Sequence, residues 1–236
     1  MVSEDVVGRR YGGRSAEERR EARRSALIDA GYELYGTLGY QNVTIDRACR
    51  QARLTARNFY EEFGGREALL RAVYDRTIGQ ALDAVLTALA ETDTDTGGTG
   101  TGTGTGTGAG GTGTGTEVRD RAEAGIGAFV HAMLDDPRAA RVVCLEVVGV
   151  SEDLERHRRQ VLRAFADLVA DEAHRLGTGR VPQGQDPTPA ALALVGGVNE
   201  LIVDWLHSDD HLALDALVDV MVDLFVSASA GPPDRI

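Results

Sequence analysis

The sequence predicts an all-α protein, and three observations predict it. Apolar residues recur every three or four positions through most of the chain, and no convincing strand pattern appears. Ser, Thr, Gly and Pro stand at the ends of those runs, where helices start and stop. The one long stretch without periodicity, residues 92–116, holds 11 Gly, 11 Thr, two Asp and one Ala. It has almost nothing to bury and much backbone entropy to lose, so it is expected to be a flexible linker or surface loop.

The elements follow in order. Residues 1–20 are expected to be a flexible arm carrying Arg9, Arg10 and Arg14. Leu27, Gly31, Leu34, Tyr35 and Leu38 share one face of a first helix, which Gly39 ends. Thr44 caps a short helix to Gln51. Ala52-Arg53-Leu54 makes a tight turn, and Thr55 caps a second short helix to Phe63. Leu69, Leu70, Val73, Ile78, Leu82, Val85, Leu86 and Leu89 run as one long helix into the linker.

Beyond the linker, Ile126, Phe129, Val130 and Met133 mark a helix that stops before Pro137. Residues 142–148 are apolar but too short to assign by period. Ser151 caps a helix through Leu154, Val161, Leu162, Phe165, Leu168 and Val169, and the Gly- and Pro-rich residues 177–189 form a loop. Two broad apolar helices close the chain. One carries Ala191, Leu194, Val195, Val198, Leu201, Ile202 and Trp205, and the other Leu214, Leu217, Val218, Met221, Leu224 and Phe225.

Composition narrows the function. The 236 residues carry 37 acidic against 25 basic side chains, for a net charge of −12, and every base is Arg. Lysine chemistry is therefore excluded, both Schiff bases and phosphate loops of the Walker type. The charge is divided unevenly: residues 1–76 hold 14 Arg against 12 acids, and the remainder 11 Arg against 25. Such asymmetry suits a nucleic-acid-facing end and a solvated body. Cys49 and Cys144 suggest neither a disulfide nor a zinc site. No hydrophobic leader opens the chain, and the apolar run from Ala190 is broken at Asn199 and Glu200, which implies no membrane span and a reduced, cytoplasmic protein. His207, Asp209, Asp210 and His211 have the side chains of a metal site. They read instead as a cap for the last helix and two solvated imidazoles, so no metal and no cofactor is expected. No nucleophile motif or phosphate loop points to an enzyme.

Two short helices joined by a three-residue turn make a helix-turn-helix, whose second helix lies in a DNA major groove. Its first turn offers Thr55, Ala56, Arg57 and Asn58 to base edges. Arg pairs bidentately with guanine and Asn with adenine. Thr44-Ile45, Ala52, Leu54-Thr55, Phe59-Tyr60, Phe63, Arg66-Glu67 and Leu69-Leu70, with Gly39-Tyr40 before them, resemble the DNA-binding domain of the tetracycline-repressor (TetR) family. The likeness covers roughly residues 21–81. It departs from the family at Ala48-Cys49, at Arg53, where the family usually has Gly, and at Arg66, where it usually has Lys.

The resemblance implies phosphate contacts from Thr44, Tyr60 and Arg66. It also implies an effector-binding and dimerisation bundle, placed here at residues 117–230. Expected pocket residues are Phe129, His131, Met133, Cys144, Glu146, Phe165 and Trp205. Expected dimer contacts are Val195, Gly196, Val198, Ile202, Leu217, Met221 and Leu224, although a wholly intramolecular role for these helices is the alternative. The implied function is a homodimeric transcriptional regulator, a repressor released from operator DNA by an unidentified small molecule. The alternative is a helical scaffold with a degenerate head.

Overall fold

The computed structural model describes residues 15–96, 115–176 and 188–230. The arginines expected in the arm, the Thr-Gly stretch over 97–114 and the loop over 177–187 lie outside the described residues. Within them every regular element is helical.

Helix α1, Ala16–Leu38, starts on a capping box: the Ser15 hydroxyl accepts from the Glu18 N–H at 3.0 Å and the Glu18 carboxylate accepts from the Ser15 N–H at 2.6 Å. Two orphan donors are satisfied at once, so residues 16–20, expected in the arm, are helix. The helix ends at Gly39, whose φ of 82° only glycine adopts without cost and whose N–H bonds Tyr35. A 3-10 turn, Tyr40–Asn42, leads to Thr44, which caps α2, Ile45–Ala52. Arg53 then turns left-handed, with φ 56° and ψ 39°. A left-handed conformation of this kind costs a non-glycine residue roughly 1–2 kcal/mol. Arg53 bears that cost at the position where the resembling family usually has Gly. Helix α3 is Ala56–Glu62, capped by Thr55.

Helix α4, Arg66–Thr96, runs straight through the expected end of the head at residue 81 and into the expected linker. Helix α5, Gly115–Leu134, likewise begins inside that stretch. A short α6, Pro137–Ala140, opens on Asp136 with Pro at its first position, and continues directly into a π-helical turn, Arg141–Glu146. Residues 142–146, left unassigned by period, therefore belong to a widened helical turn. Such turns often sit where a side chain must be re-aimed. Ser151 caps α7, Glu152–Arg175, as expected, and α8, Thr188–His207, and α9, Leu214–Ala230, complete the chain.

One core runs through both ends of the molecule. In the head, α1, α3 and α4 bury Leu27, Tyr35, Phe59, Leu69, Leu70 and Val73. In the body, α4, α5, α7, α8 and α9 bury Val130, Met133, Leu154, Ile202 and Met221. Helix α4 belongs to both, which is why no boundary divides them. Helix α1 presses onto α6 at Gly36, where an added Cβ would meet the Arg138 Cβ at 2.5 Å and its Cα at 3.1 Å. Backbone cannot move aside as a side-chain tip can, so Gly36→Ala should destabilise the protein by about 1–3 kcal/mol. Urea denaturation checks it; an unchanged midpoint would show that α1 and α6 separate freely.

Helix α8 runs through Leu201, Ile202 and Trp205 as expected, to His207. Asn199 and Glu200 interrupt its apolar run, yet its Pro189–His207 stretch is by length and composition apolar enough to cross a membrane, which the run from Ala190 was not expected to be. Asp209 and Asp210 also do not cap α9, which begins at Leu214. The nearby histidines bond backbone carbonyls, His207 to Val203 at 2.7 Å and His211 to Ser208 at 3.2 Å.

Candidate functional site

In the head, α3 is held from behind. Glu62, with only 1% of its side chain exposed, bonds Arg20 at 3.2 Å and Arg23 at 3.1 Å. Arg24 lies over the Phe63 ring, 4.6 Å from its centroid. The α1 arginines thus position α3 from its far end. The first turn of α3 faces outward. Thr55 and Asn58 cap one another: Asn58 Oδ1 accepts from the Thr55 hydroxyl at 2.8 Å and the Thr55 N–H at 3.2 Å. The cap engages the acceptor that bidentate adenine recognition requires and leaves the Asn58 Nδ2 group as a donor. Ala56 is exposed beside them. The Arg57 side chain is 88% exposed, tied only to Glu61 at 3.1 Å. A solvated i,i+4 pair of this kind is worth a few tenths of a kcal/mol and yields easily to a better partner. Tyr60 is exposed as well, its ring edge against buried Phe59.

Thr44 and Arg66 stand differently. Thr44 is exposed at the start of α2. Arg66 turns inward: its Nη1 donates to the Val43 carbonyl at 2.8 Å and the Tyr40 carbonyl at 3.4 Å, and its guanidinium stacks on the Tyr40 ring. An arginine fork reaches two carbonyls where the family's lysine is a point charge. In this structure Arg66, expected at a phosphate, bonds the loop that leads to Thr44. By contrast, Arg47, Arg50 and Arg53 are exposed, with no ion pair or hydrogen bond from their side chains among the described residues.

In the body, five helices and the π turn form an open cavity. Helix α4 contributes Tyr74, Ile78, Val85 and Leu89, α5 contributes Ile126 and Phe129, and the turn contributes Val143 and Cys144. Helix α7 lines it from Arg158 to Leu176, and α8 and α9 close it with Val195, Val198, Asn199, Ile202, Met221 and Leu224. The wall is almost wholly apolar, with Phe129 and Phe165 edge to face at 5.4 Å.

Of the expected pocket residues, Phe129, Cys144 and Phe165 line this cavity. Burial pushes the Cys144 thiol up to about 12, so it stays protonated at neutral pH. The other four lie elsewhere. His131 is on the outer side of α5, paired with Asp135 at 3.0 Å. Met133 is fully buried in the core behind the wall. Trp205 donates its indole N–H to the Leu212 carbonyl at 2.9 Å and stacks on His211, bracing the α8–α9 connection. Glu146 points to the head: it accepts from the Tyr40 N–H at 2.6 Å and from Arg141 Nε at 2.9 Å. A polar residue interrupting an apolar run marks a place needing a hydrogen bond, not the side on which the bond is made.

The expected dimer contacts are also redistributed. Ile202, Leu217 and Met221 are buried within the chain, and Val195 and Val198 line the cavity. Gly196 is exposed, and a Cβ there would meet nothing within 4 Å. Leu192, Val220 and Leu224 are exposed on the same two helices. The outward register is therefore Leu192, Gly196 and Val220, with Leu224 both exposed and at the edge of the cavity.

The cavity residues missed in the sequence carried a signal. Arg158 and Glu172 fall on the stripe of Leu154, Val161, Leu162, Phe165, Leu168 and Val169, and Asn199 on that of Val195, Val198 and Ile202. A polar residue in register with an apolar stripe faces the same space.

A second tie joins head and body beside the π turn. Tyr32 donates its hydroxyl to Asp136 at 2.8 Å, and Arg138 bonds both Asp136 and Glu33. The Arg138 guanidinium holds the Asp136 carboxyl below the usual carboxylate range.

Comparison with known proteins places these features. Residues 27–73 match the family described as bacterial regulatory proteins, tetR family. The fatty acid metabolism regulator protein of Bacillus subtilis (strain 168) is 18% identical over 202 residues, 85% of this chain and 92% of that protein. Among solved structures, FadR of Bacillus subtilis in complex with stearoyl-CoA superimposes with a TM-score of 0.64 at 18% identity, covering 86% of this chain and 98% of that one. AibR in complex with isovaleryl coenzyme A and operator DNA gives a TM-score of 0.59 at 15% identity, covering 86% and 97%.

Proposed function

We propose that the chain, whose residues 27–73 match the tetR family of bacterial regulatory proteins, is a transcriptional regulator of that family: a cytoplasmic, homodimeric repressor released from its operator by a long, apolar acyl ligand. The single observation that carries this reading is the shared helix. Helix α4 packs the head core with Leu69, Leu70 and Val73 and lines the cavity with Tyr74, Ile78, Val85 and Leu89. A ligand that displaces the second group moves the first. The apolar wall suits a hydrocarbon chain, in keeping with the acyl thioesters held by the two relatives. The cavity's polar groups are a phenol, an amide, a protonated thiol, the Arg158 guanidinium and the Arg121–Glu172 ion pair, a set that suits holding a ligand and supports a regulator over an enzyme.

A single head reads only a few bases, and two copies one helical turn or more apart give usable specificity. The exposed Leu192, Val220 and Leu224, and the open Gly196 on α8, support pairing of α8 and α9 with their copies. On DNA, Arg57 is the principal base reader, joined by Thr55, Ala56 and the Asn58 donor. Thr44 and Tyr60 hold phosphates, and Arg66 positions Thr44.

The test is fluorescence anisotropy with labelled DNA from upstream of the coding region and a scrambled control, across a salt series. The native fragment should bind preferentially, with affinity falling steeply as salt rises. Arg57→Ala should lose about 1–3 kcal/mol against the native site and relax its preference at one position. Unchanged sequence preference in that variant would remove Arg57 from the base-reading role. No binding to any DNA at low salt would favour the scaffold reading.

A further inference from the structure

The two ends of the cavity differ in what their polar groups lack. At the end far from the head, Arg121 is 5% exposed and saturated. It donates to Glu172 twice, at 2.7 and 3.0 Å, to Asp93 at 2.6 Å, to Thr92 at 3.1 Å and to the Leu89 carbonyl at 3.2 Å. This end is a seal.

At the end near the head, Tyr74 is 1% exposed and lines the cavity, yet its hydroxyl has no hydrogen-bond partner among the described residues. Among the described residues only Arg23 Nε is a sealed side-chain polar atom without a partner, so the Tyr74 hydroxyl is one that a molecule in the cavity can reach, as donor or acceptor. Arg158 lines the cavity too; its Nε is taken by Glu155 at 3.3 Å, while its two terminal amino groups make no bond among the described residues. Arg158 follows His157, whose ring packs on Tyr74 with centroids 5.8 Å apart, and Cys144 lines the same cavity.

Between the ends, the wall is apolar. Tyr74 and Leu89 stand fifteen residues apart on α4, roughly 22 Å at 1.5 Å per residue. On α7, His157 packs on Tyr74 and Glu172 meets Arg121, so the same span separates the two ends there. An extended hydrocarbon with C–C bonds of ~1.5 Å advances roughly 1.25 Å per carbon. The span then matches a chain of roughly 16–18 carbons.

We propose that Tyr74 and Arg158 form the subsite that receives the acyl oxygen of a long-chain acyl group, whose methyl end lies against the Arg121 seal. This rests on the effector reading above and adds the orientation, the chain length and the residues that read the carbonyl. The acyl group arrives either as a free acid or as a thioester, and the oxygen chemistry is common to both.

Calorimetry on the full chain tests it with three probes: palmitate, palmitoyl-CoA and its thioether analogue S-hexadecyl-CoA, which keeps chain and head but lacks the carbonyl. Tyr74→Phe removes one oxygen and leaves the wall intact. It should weaken whichever acyl probe the wild type binds by about five- to tenfold and leave S-hexadecyl-CoA unchanged. Octanoyl-CoA should bind at least a hundredfold more weakly than palmitoyl-CoA. Preference of the wild type for palmitate or for palmitoyl-CoA identifies the source, and either supports the subsite. Equal losses for acyl and thioether probes, or no loss for either, would overturn it. A wild type that binds none of the three overturns the effector reading itself.

Discussion

Arg121→Ala should lower stability by about 3 kcal/mol, the largest loss expected from any single surface-to-core substitution of charge in this chain. Only 6% of the side chain is exposed, while its partners Glu172 and Asp93 are 23% and 51% exposed. Removing the guanidinium strands a partly buried carboxylate on α7 and takes one donor from the Leu89 carbonyl, which keeps the Thr92 hydroxyl at 2.7 Å. Breaking a buried pair costs about 3–5 kcal/mol, and the lower figure applies because water reaches both acids. For a chain of this size the loss corresponds to roughly 6–12 °C in Tm. Thermal denaturation followed by circular dichroism measures it. The double variant Arg121→Met with Glu172→Leu separates the pair from the position: an apolar replacement of both charges should recover most of the loss. A drop under 2 °C for Arg121→Ala would show that water already does the work of the guanidinium and that the cavity's far end is open.

Arg121 also shows where the sequence stops being informative. It sits among charged neighbours, and nothing local distinguishes it from Arg119, which pairs at the surface with Asp223. What buries Arg121 is the meeting of α4, α5 and α7, a tertiary fact. Features whose cause is local were legible: the caps at Thr44, Thr55 and Ser151, the stop at Gly39 and the tight turn at Arg53 all depend on a few neighbouring residues. The end of α4 was not, since the helix has no chemical break at residue 81. The outward face of α8 and α9 was not legible either, because both are apolar on more than one face and periodicity alone cannot say which face meets the cavity. Their exposed and buried sides differ by a rotation that no single-helix pattern records.

Glu146 was expected in the pocket and lies on the other side of its wall, and its replacement should separate binding from response. The π turn that carries it has two faces. Val143 and Cys144 line the cavity, while Arg141 and Glu146 bond each other and Glu146 accepts the Tyr40 N–H. Tyr40 in turn shares Arg66 with Val43, one residue before the Thr44 cap of the helix-turn-helix. The Glu146 carboxylate also sits where a side chain at Gly39 would stand, 3.1 Å from the Cβ position, so the turn and the head are in close contact there. A ligand pressing on Val143 and Cys144 therefore moves the acceptor of a head hydrogen bond. Glu146→Ala should keep operator affinity without ligand within about threefold of wild type, since no DNA-facing residue changes. Ligand affinity should hold as well, because Glu146 does not line the cavity. The weakening of DNA binding by ligand, typically about 5- to 150-fold in coupled systems, should shrink towards none. Anisotropy titrations of operator with and without palmitoyl-CoA, beside calorimetry of the ligand alone, separate the three quantities. Glu146→Gln keeps one acceptor for Tyr40 and gives up the pair with Arg141, so it should retain part of the response. If Glu146→Ala responds like wild type, α4 alone carries the signal and the contact at Tyr40 is structural; if ligand binding itself is lost, the two faces of the turn do not act independently.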